Sequence, residues 1–129
     1  MRRLARIPRS LPAHHRKPNL RRAATHLAFV RQLPCLACGA SPPSQAAHVR
    51  SSGDGGVGIK PGDKYSLPLC VSCHINDQHR IGEAAFYARL GIDPLDVSCR
   101  LWTVSGNLDA GQTVIFKARQ RIALHKRGM

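Results

Sequence analysis

Five cysteines and seven histidines stand in a chain of 129 residues, and their order says more than their number. Cys35 and Cys38 make one Cys-x-x-Cys pair and Cys70 and Cys73 a second, with His74 directly after it, so that residues 70–74 read CVSCH. Alone, Cys-x-x-Cys-His is the attachment pattern of a c-type haem. Haem would need an exported setting and a second axial ligand, yet the only methionines are Met1 and Met129, and Cys35 and Cys38 would be left without a role. Four thiolates in two pairs make a tetrahedral zinc site without further assumption, because a two-residue gap lets both sulfurs of a knuckle reach one ion about 2.3 Å away. The sequence therefore predicts structural Zn²⁺ on Cys35, Cys38, Cys70 and Cys73.

The stretch between the pairs, residues 39–69, holds no other cysteine and is longer than in an ordinary zinc ribbon. It contains His48 and Asp63; His74 and His79 follow at its far end. His74 and His79 are five residues apart, whereas an α-helix stacks side chains four apart. Their convergence needs an irregular first turn beside the knuckle. Taken singly, each of these histidines reads more readily as structural or merely exposed than as functional. The weight lies in the order: a cysteine pair, His48, Asp63, a second pair ending in His74, then His79. His14, His15, His26 and His125 fall outside this order and are not expected to be ligands.

The elements that must position these residues are legible in outline. NLRRAATHLAFVRQL, residues 19–33, has apolar residues at helical spacing, and Pro34 ends it. AAHVR, residues 46–50, reads as a short strand carrying His48; KYSLPLC, residues 64–70, reads as a second strand that Pro68 confines to an edge or an end. Between them SSGDGGVGIKPGDK, residues 51–64, has five glycines and predicts an exposed loop, the long tip of a β-hairpin. A helix from Cys73 is expected to break near Gly82 and to stop at Gly91. Another runs from Pro94, capped by Asp93, through Trp102 and buries Cys99. The last begins near Asp109, with Val114, Ile115, Ala118, Ile122 and Leu124 inward and a basic outer face. Tyr65, Phe86, Tyr87 and Trp102 are expected in the core.

Composition narrows the partner. Twenty Lys and Arg stand against seven acids, a net charge of +13, and no acid precedes Asp54 or follows Asp109, so the charge gathers at the ends. Such a surplus favours a polyanion, since each neutralised phosphate releases counterions, and nucleic acid is the expected partner. No apolar run is long enough for a membrane span. Paired cysteines without a secretory signal fit a reducing cytoplasm. The expected organisation is a basic arm over residues 1–17, one domain over 18–105 and a basic helix over 106–129.

HLAFVRQLPCLACG (26–39), AAHVR (46–50), GIKPGDKYSLPLCVSCH (58–74) and HRIGEAAFYARLGIDP (79–94) together resemble the HNH nucleases. Within them the likeness is to small zinc-knuckle proteins of phages and prophages related to the recombination-enhancement nuclease. The resemblance implies an α+β fold with a ββα-metal core, in which a hairpin and a helix hold one divalent cation against the DNA backbone in a bacterial host's cytoplasm. It implies an endonuclease or nickase with weak sequence preference. His48 would be the general base. His74 and His79 would hold a catalytic Mg²⁺ or Mn²⁺, or else Zn²⁺. Asp63 falls at the family's middle position and would either orient His48 or complete the metal shell. Arg50, Lys60, Lys64 and Arg80 flank these residues and would contact phosphates. Two departures stand out: Ala47 occupies the place before the base, where an Asp or His ligand is common, and the middle Asn is absent. A zinc-stabilised DNA-binding protein without catalysis is the alternative on the same fold.

Overall fold

The computed structural model describes residues 22–50 and 62–128. The expected basic arm, the start of the first helix, most of the glycine-rich loop and Lys60 lie outside the described residues. Helix α1, Ala24–Arg31, precedes the antiparallel strands β1, Gln45–His48, and β2, Ser66–Leu69. A π-helix, Ser72–Gln78, runs into the short α2, His79–Ile81; α3, Glu83–Leu90, α4, Pro94–Thr103, and α5, Leu108–Arg127, complete the order. The result is a small α+β fold with a two-stranded sheet. Among the described residues no helix is long and apolar enough to cross a membrane.

Register in the hairpin sets His48 opposite Ser66 and Ala46 opposite Pro68, and the Val49 amide donates to Tyr65 O at 2.7 Å, lengthening the ladder. Pro68 sits inside β2 without cost. Its carbonyl points away from β1 and accepts from the Leu36 amide at 2.9 Å. The N–H it lacks would have faced that same outer edge. The Leu36 contact also fastens the first cysteine pair to the sheet. The Ser44 hydroxyl donates to Leu33 O at 2.7 Å, tying the entry of β1 to the end of α1.

Both strands are pinned between helices. Phe29 and Val30 from α1 and Leu33 just beyond it meet Leu67 and Leu69 of β2, with Val97 and Leu101 of α4 and Ile115, Ala118 and Ile122 of α5 closing one buried core. Gly111 lets α5 approach α1: a Cβ there would stand 2.6 Å from the Phe29 ring. Helix α4 starts as the sequence predicts, with the Asp93 carboxylate accepting from the Leu95 amide at 3.0 Å and Pro94 in the first turn. The expected break falls at Gly82, φ +94°, and the expected stop at Gly91, φ +76°. Both need a conformation that costs a residue with a Cβ.

Several expectations are corrected. Gly62 and Asp63 are buried, although the glycine-rich stretch that contains them reads as an exposed loop. Cys99 is exposed. Leu124 is 60 % exposed and Trp102 is 42 % exposed, because neither faces the side of its helix that the core covers. Trp102 lies edge-on to His26, with ring centroids 4.9 Å apart. His26, which is not expected to be a ligand, is buried with Nδ1 2.7 Å from the Ser105 hydroxyl.

Candidate metal and histidine sites

The two cysteine pairs fold as matching knuckles. In the first, the Cys38 amide donates to Cys35 Sγ at 3.4 Å; in the second, the Cys73 amide donates to Cys70 Sγ at 3.5 Å. The turns close alike, by Gly39 N–H to Cys35 O and by His74 N–H to Cys70 O, each at 2.9 Å. All four sulfurs lie within 4.8 Å of one another. The Cys38 and Cys70 sulfurs are 3.7 Å apart, close to the roughly 3.8 Å edge of a tetrahedron built on 2.3 Å bonds. Cys35 and Cys73 are buried in the core, Cys38 and Cys70 toward its surface.

The four thiols fit a cation better than they fit one another. Burial, reinforced by its sulfur neighbours, pushes the Cys73 thiol far up, and burial also raises Cys38, whereas the Cys73 amide holds Cys70 down. A thiolate-binding ion removes this conflict, since ligation replaces the protons. The cluster can therefore hold a metal ion such as zinc, as its spacing predicts.

The histidines meet on the other side of the second knuckle. The His79 amide donates to His74 O, the five-residue turn of a π-helix. That wider turn places His79 under His74, with ring centroids 4.7 Å apart, and supplies the irregularity that their spacing requires. His48 reaches the same place from the end of β1. Together His48, Arg50, His74, Gln78, His79 and Glu83 line a cleft of about 520 Å³, floored by Ala46 and Gly82.

Hydrogen bonds fix two of the rings. His48 Nε2 is 2.8 Å from Asp63 Oδ1. Asp63 is buried, which works to raise its carboxyl; the His48 bond, the Ala23 amide at 2.7 Å and the charges of His48 and Arg22 outweigh burial and hold it below the ordinary carboxylate range. An ionised Asp63 can only accept, so Nε2 carries a proton, and in the neutral form of the ring the lone pair lies on Nδ1. His74 Nδ1 is 2.7 Å from Gln45 Oε1, so Nδ1–H donates to that oxygen and the lone pair of the neutral ring lies on Nε2, open to a metal ion. Burial first, then the nearby His79 and His48, lowers the His74 pKa and favours the neutral ring.

Of the two roles open to Asp63, its contacts match orientation of His48: it does not line the cleft. Arg50 does, and its amide donates to Glu83 Oε1 at 2.9 Å. Lys64 lies over the Tyr65 ring at 5.0 Å, and Arg80 bonds back to Asn76 O at 2.9 Å and pairs with Asp77. Neither lines the cleft. Ala47 is fully buried in the core, so a ligand at that position would point away from the histidines. Glu83, Gln45 and Gln78 were not anticipated. Glu83 had a trace, as the acid four residues after His79; the two glutamines had none. Among the described residues the cysteines form the one group of three or more Cys, His, Asp or Glu whose ligand atoms lie within 4.8 Å of one another.

Fold and site thus define a small α+β protein with a four-cysteine cluster that could hold a metal ion and a histidine-lined cleft. Residues 8–100 match the model of a family described as a protein of unknown function (DUF968). The chain belongs to that family. No curated protein and no solved structure matches it.

Proposed function

We propose that this protein is a metal-dependent HNH-type endonuclease or nickase that hydrolyses phosphodiester bonds in DNA. One observation carries the reading: His48, backed by Asp63, faces the His74 and His79 pair across one cleft. Hairpin, knuckle and helical segment follow in the order that the ββα-metal arrangement requires. His48 Nδ1 is the general base that takes a proton from the attacking water, and a near-neutral imidazole suits that task. Asp63 holds the ring and stabilises the charge it acquires. A divalent cation bound by His74 and His79 supplies Lewis-acid stabilisation of the phosphoryl charge. His74 fits such a role because Gln45 fixes its other nitrogen, as outer partners of metal-bound imidazoles do. Arg50 lines the same cleft and would contact a phosphate there, and the net charge of +13 favours a polyanionic substrate.

The test is nicking of supercoiled plasmid by zinc-loaded protein with Mg²⁺ or Mn²⁺. His48→Ala is expected to lower the rate by about 10²–10⁴-fold, the usual contribution of a positioned base, while leaving DNA binding intact. Equal cutting by wild type and variant would sink the mechanism. The open spacing of the cleft histidines favours one second reading, a zinc-stabilised DNA-binding protein without catalysis. Retained DNA binding with no cutting under any divalent ion would select it.

A further inference from the structure

One side chain that lines the cleft carries a buried polar atom used neither by the fold nor by the proposed chemistry. Gln78 is only 5 % exposed, lines the cleft with His74 and His79, and its Oε1 has no hydrogen-bond partner among the described residues. A buried amide oxygen in that condition has given up water for nothing, and native structures rarely leave one so. Nε2 of His26 and the Tyr87 hydroxyl share the condition, but neither lines the cleft.

Placement gives the oxygen a use. Because the turn after His74 is closed by the His79 amide, the fourth and fifth residues beyond it both lie beneath it. Gln78 and His79 are those residues. Two imidazoles alone under-coordinate a divalent ion, and the nearby carboxylates have other work: Asp63 is bonded to His48 and the Ala23 amide, and Glu83 to the Arg50 amide. An amide oxygen satisfies a cation without adding charge.

We propose that Gln78 is the third protein ligand of the cleft, its Oε1 completing with His74 and His79 a site for a divalent first-row transition-metal ion. The inference rests on reading the cleft as a metal site. It also orders the ions: two imidazole nitrogens and one amide oxygen suit Mn²⁺, Co²⁺ or Zn²⁺, whereas Mg²⁺ prefers oxygen ligands and keeps its waters.

Mn²⁺ is the probe, added to full-length protein whose cysteine cluster already holds zinc, with free Mn²⁺ read by electron paramagnetic resonance. Gln78→Ala is expected to weaken Mn²⁺ binding at least about tenfold, Gln78→Glu to bind as tightly as wild type or more so, and His74→Ala to lose binding. Mg²⁺ should displace Mn²⁺ only in large excess. Zinc content and melting temperature are checked before Mn²⁺ is added; if Gln78→Ala fails either check, Gln78→Leu, which keeps the volume, must show the same weakening. Wild-type affinity in a folded Gln78 variant, with binding lost in His74→Ala, would overturn the role of Gln78 and leave the metal site standing. Absence of Mn²⁺ binding by wild type, or unchanged affinity in His74→Ala and Gln78→Ala alike, would overturn both. Unchanged Mn²⁺ affinity with weakened DNA binding would assign the amide to the nucleic acid and likewise overturn the proposal.

Discussion

Asp63 joins two tasks in one carboxylate. It receives His48 Nε2 and the Ala23 amide at once and faces Arg22 Nη1 at 3.4 Å, so it locks the end of β1 to the entry of α1 while choosing the His48 tautomer. Asp63→Asn removes the charge and keeps the shape. Its expected cost is about 2 kcal/mol, the worth of hydrogen bonds to an ionised group, together with slower nicking, since the ring loses the partner that stabilises its protonated form. The acid dependence has a definite sign. Asp63 has a folded pKa below its ordinary value, so its share of stability is full above about pH 4 and is lost as pH falls through the lower folded value. His26 and His74, kept neutral chiefly by burial, lose their share higher, beginning below about pH 6.5. Urea unfolding of wild type and Asp63→Asn in parallel follows the share that the carboxylate contributes. The stability gap should close as the pH falls below about 4. A gap that persists there would show that Asp63 acts through shape and not charge.

At the scale of elements, the segment from Ser72 to Leu90 is a helix interrupted twice, by a widened turn and by a glycine. The glycine was legible and the widened turn was not. Gly82 and Gly91 announce themselves because only glycine adopts their backbone at no cost. The π-helix rests on a shift of hydrogen-bond partner by one residue, which leaves apolar spacing almost unchanged; the five-residue gap between His74 and His79 was its sole mark. Burial of Asp63 was hidden for a related reason, since a carboxylate among glycines reads as loop unless its partners, the ring of His48 and the amide of Ala23, are known. The capped start of α4 and the break and stop of α3 needed only local chemistry, and they stand where the sequence puts them. The exposed faces of Trp102 and Leu124 depended on which neighbours cover each helix, and periodicity alone does not say. The two glycines also separate backbone cost from packing cost. A Cβ at Gly82 meets nothing within 4 Å, whereas at Gly91 it collides with the His125 ring. Gly82→Ala should therefore cost about 1–2 kcal/mol from the positive φ alone, and Gly91→Ala more. Adding His125→Ala should return the excess in the second case and nothing in the first, as a double-mutant cycle in urea would measure.

For the whole molecule, the cysteine cluster joins the elements that form the cleft. Its first knuckle hangs from β2 through the Leu36 amide, its second opens the π-helix that carries His74 and Gln78, and Cys35 and Cys73 belong to the buried core. A metal ion there would tie the hairpin to the helical segment across a long intervening stretch, and its binding energy would become folding energy. One zinc per chain is the expected content. Stripping it with a strong chelator should lower the melting temperature by more than 10 °C, given that each kcal/mol is worth about 4 °C in a domain of this size. The same treatment should abolish Mn²⁺ binding in the cleft even though no cleft ligand has been touched. Cys38→Ser should behave like the stripped protein, because three thiolates and a hydroxyl hold zinc poorly. Cys99→Ser should keep full zinc and an unchanged melting temperature, since Cys99 is exposed and stands outside the cluster. A chelated protein that melted with wild type would mean that core packing alone holds the two knuckles together. The cleft would then owe its shape to Leu67, Leu69 and their neighbours and not to the metal.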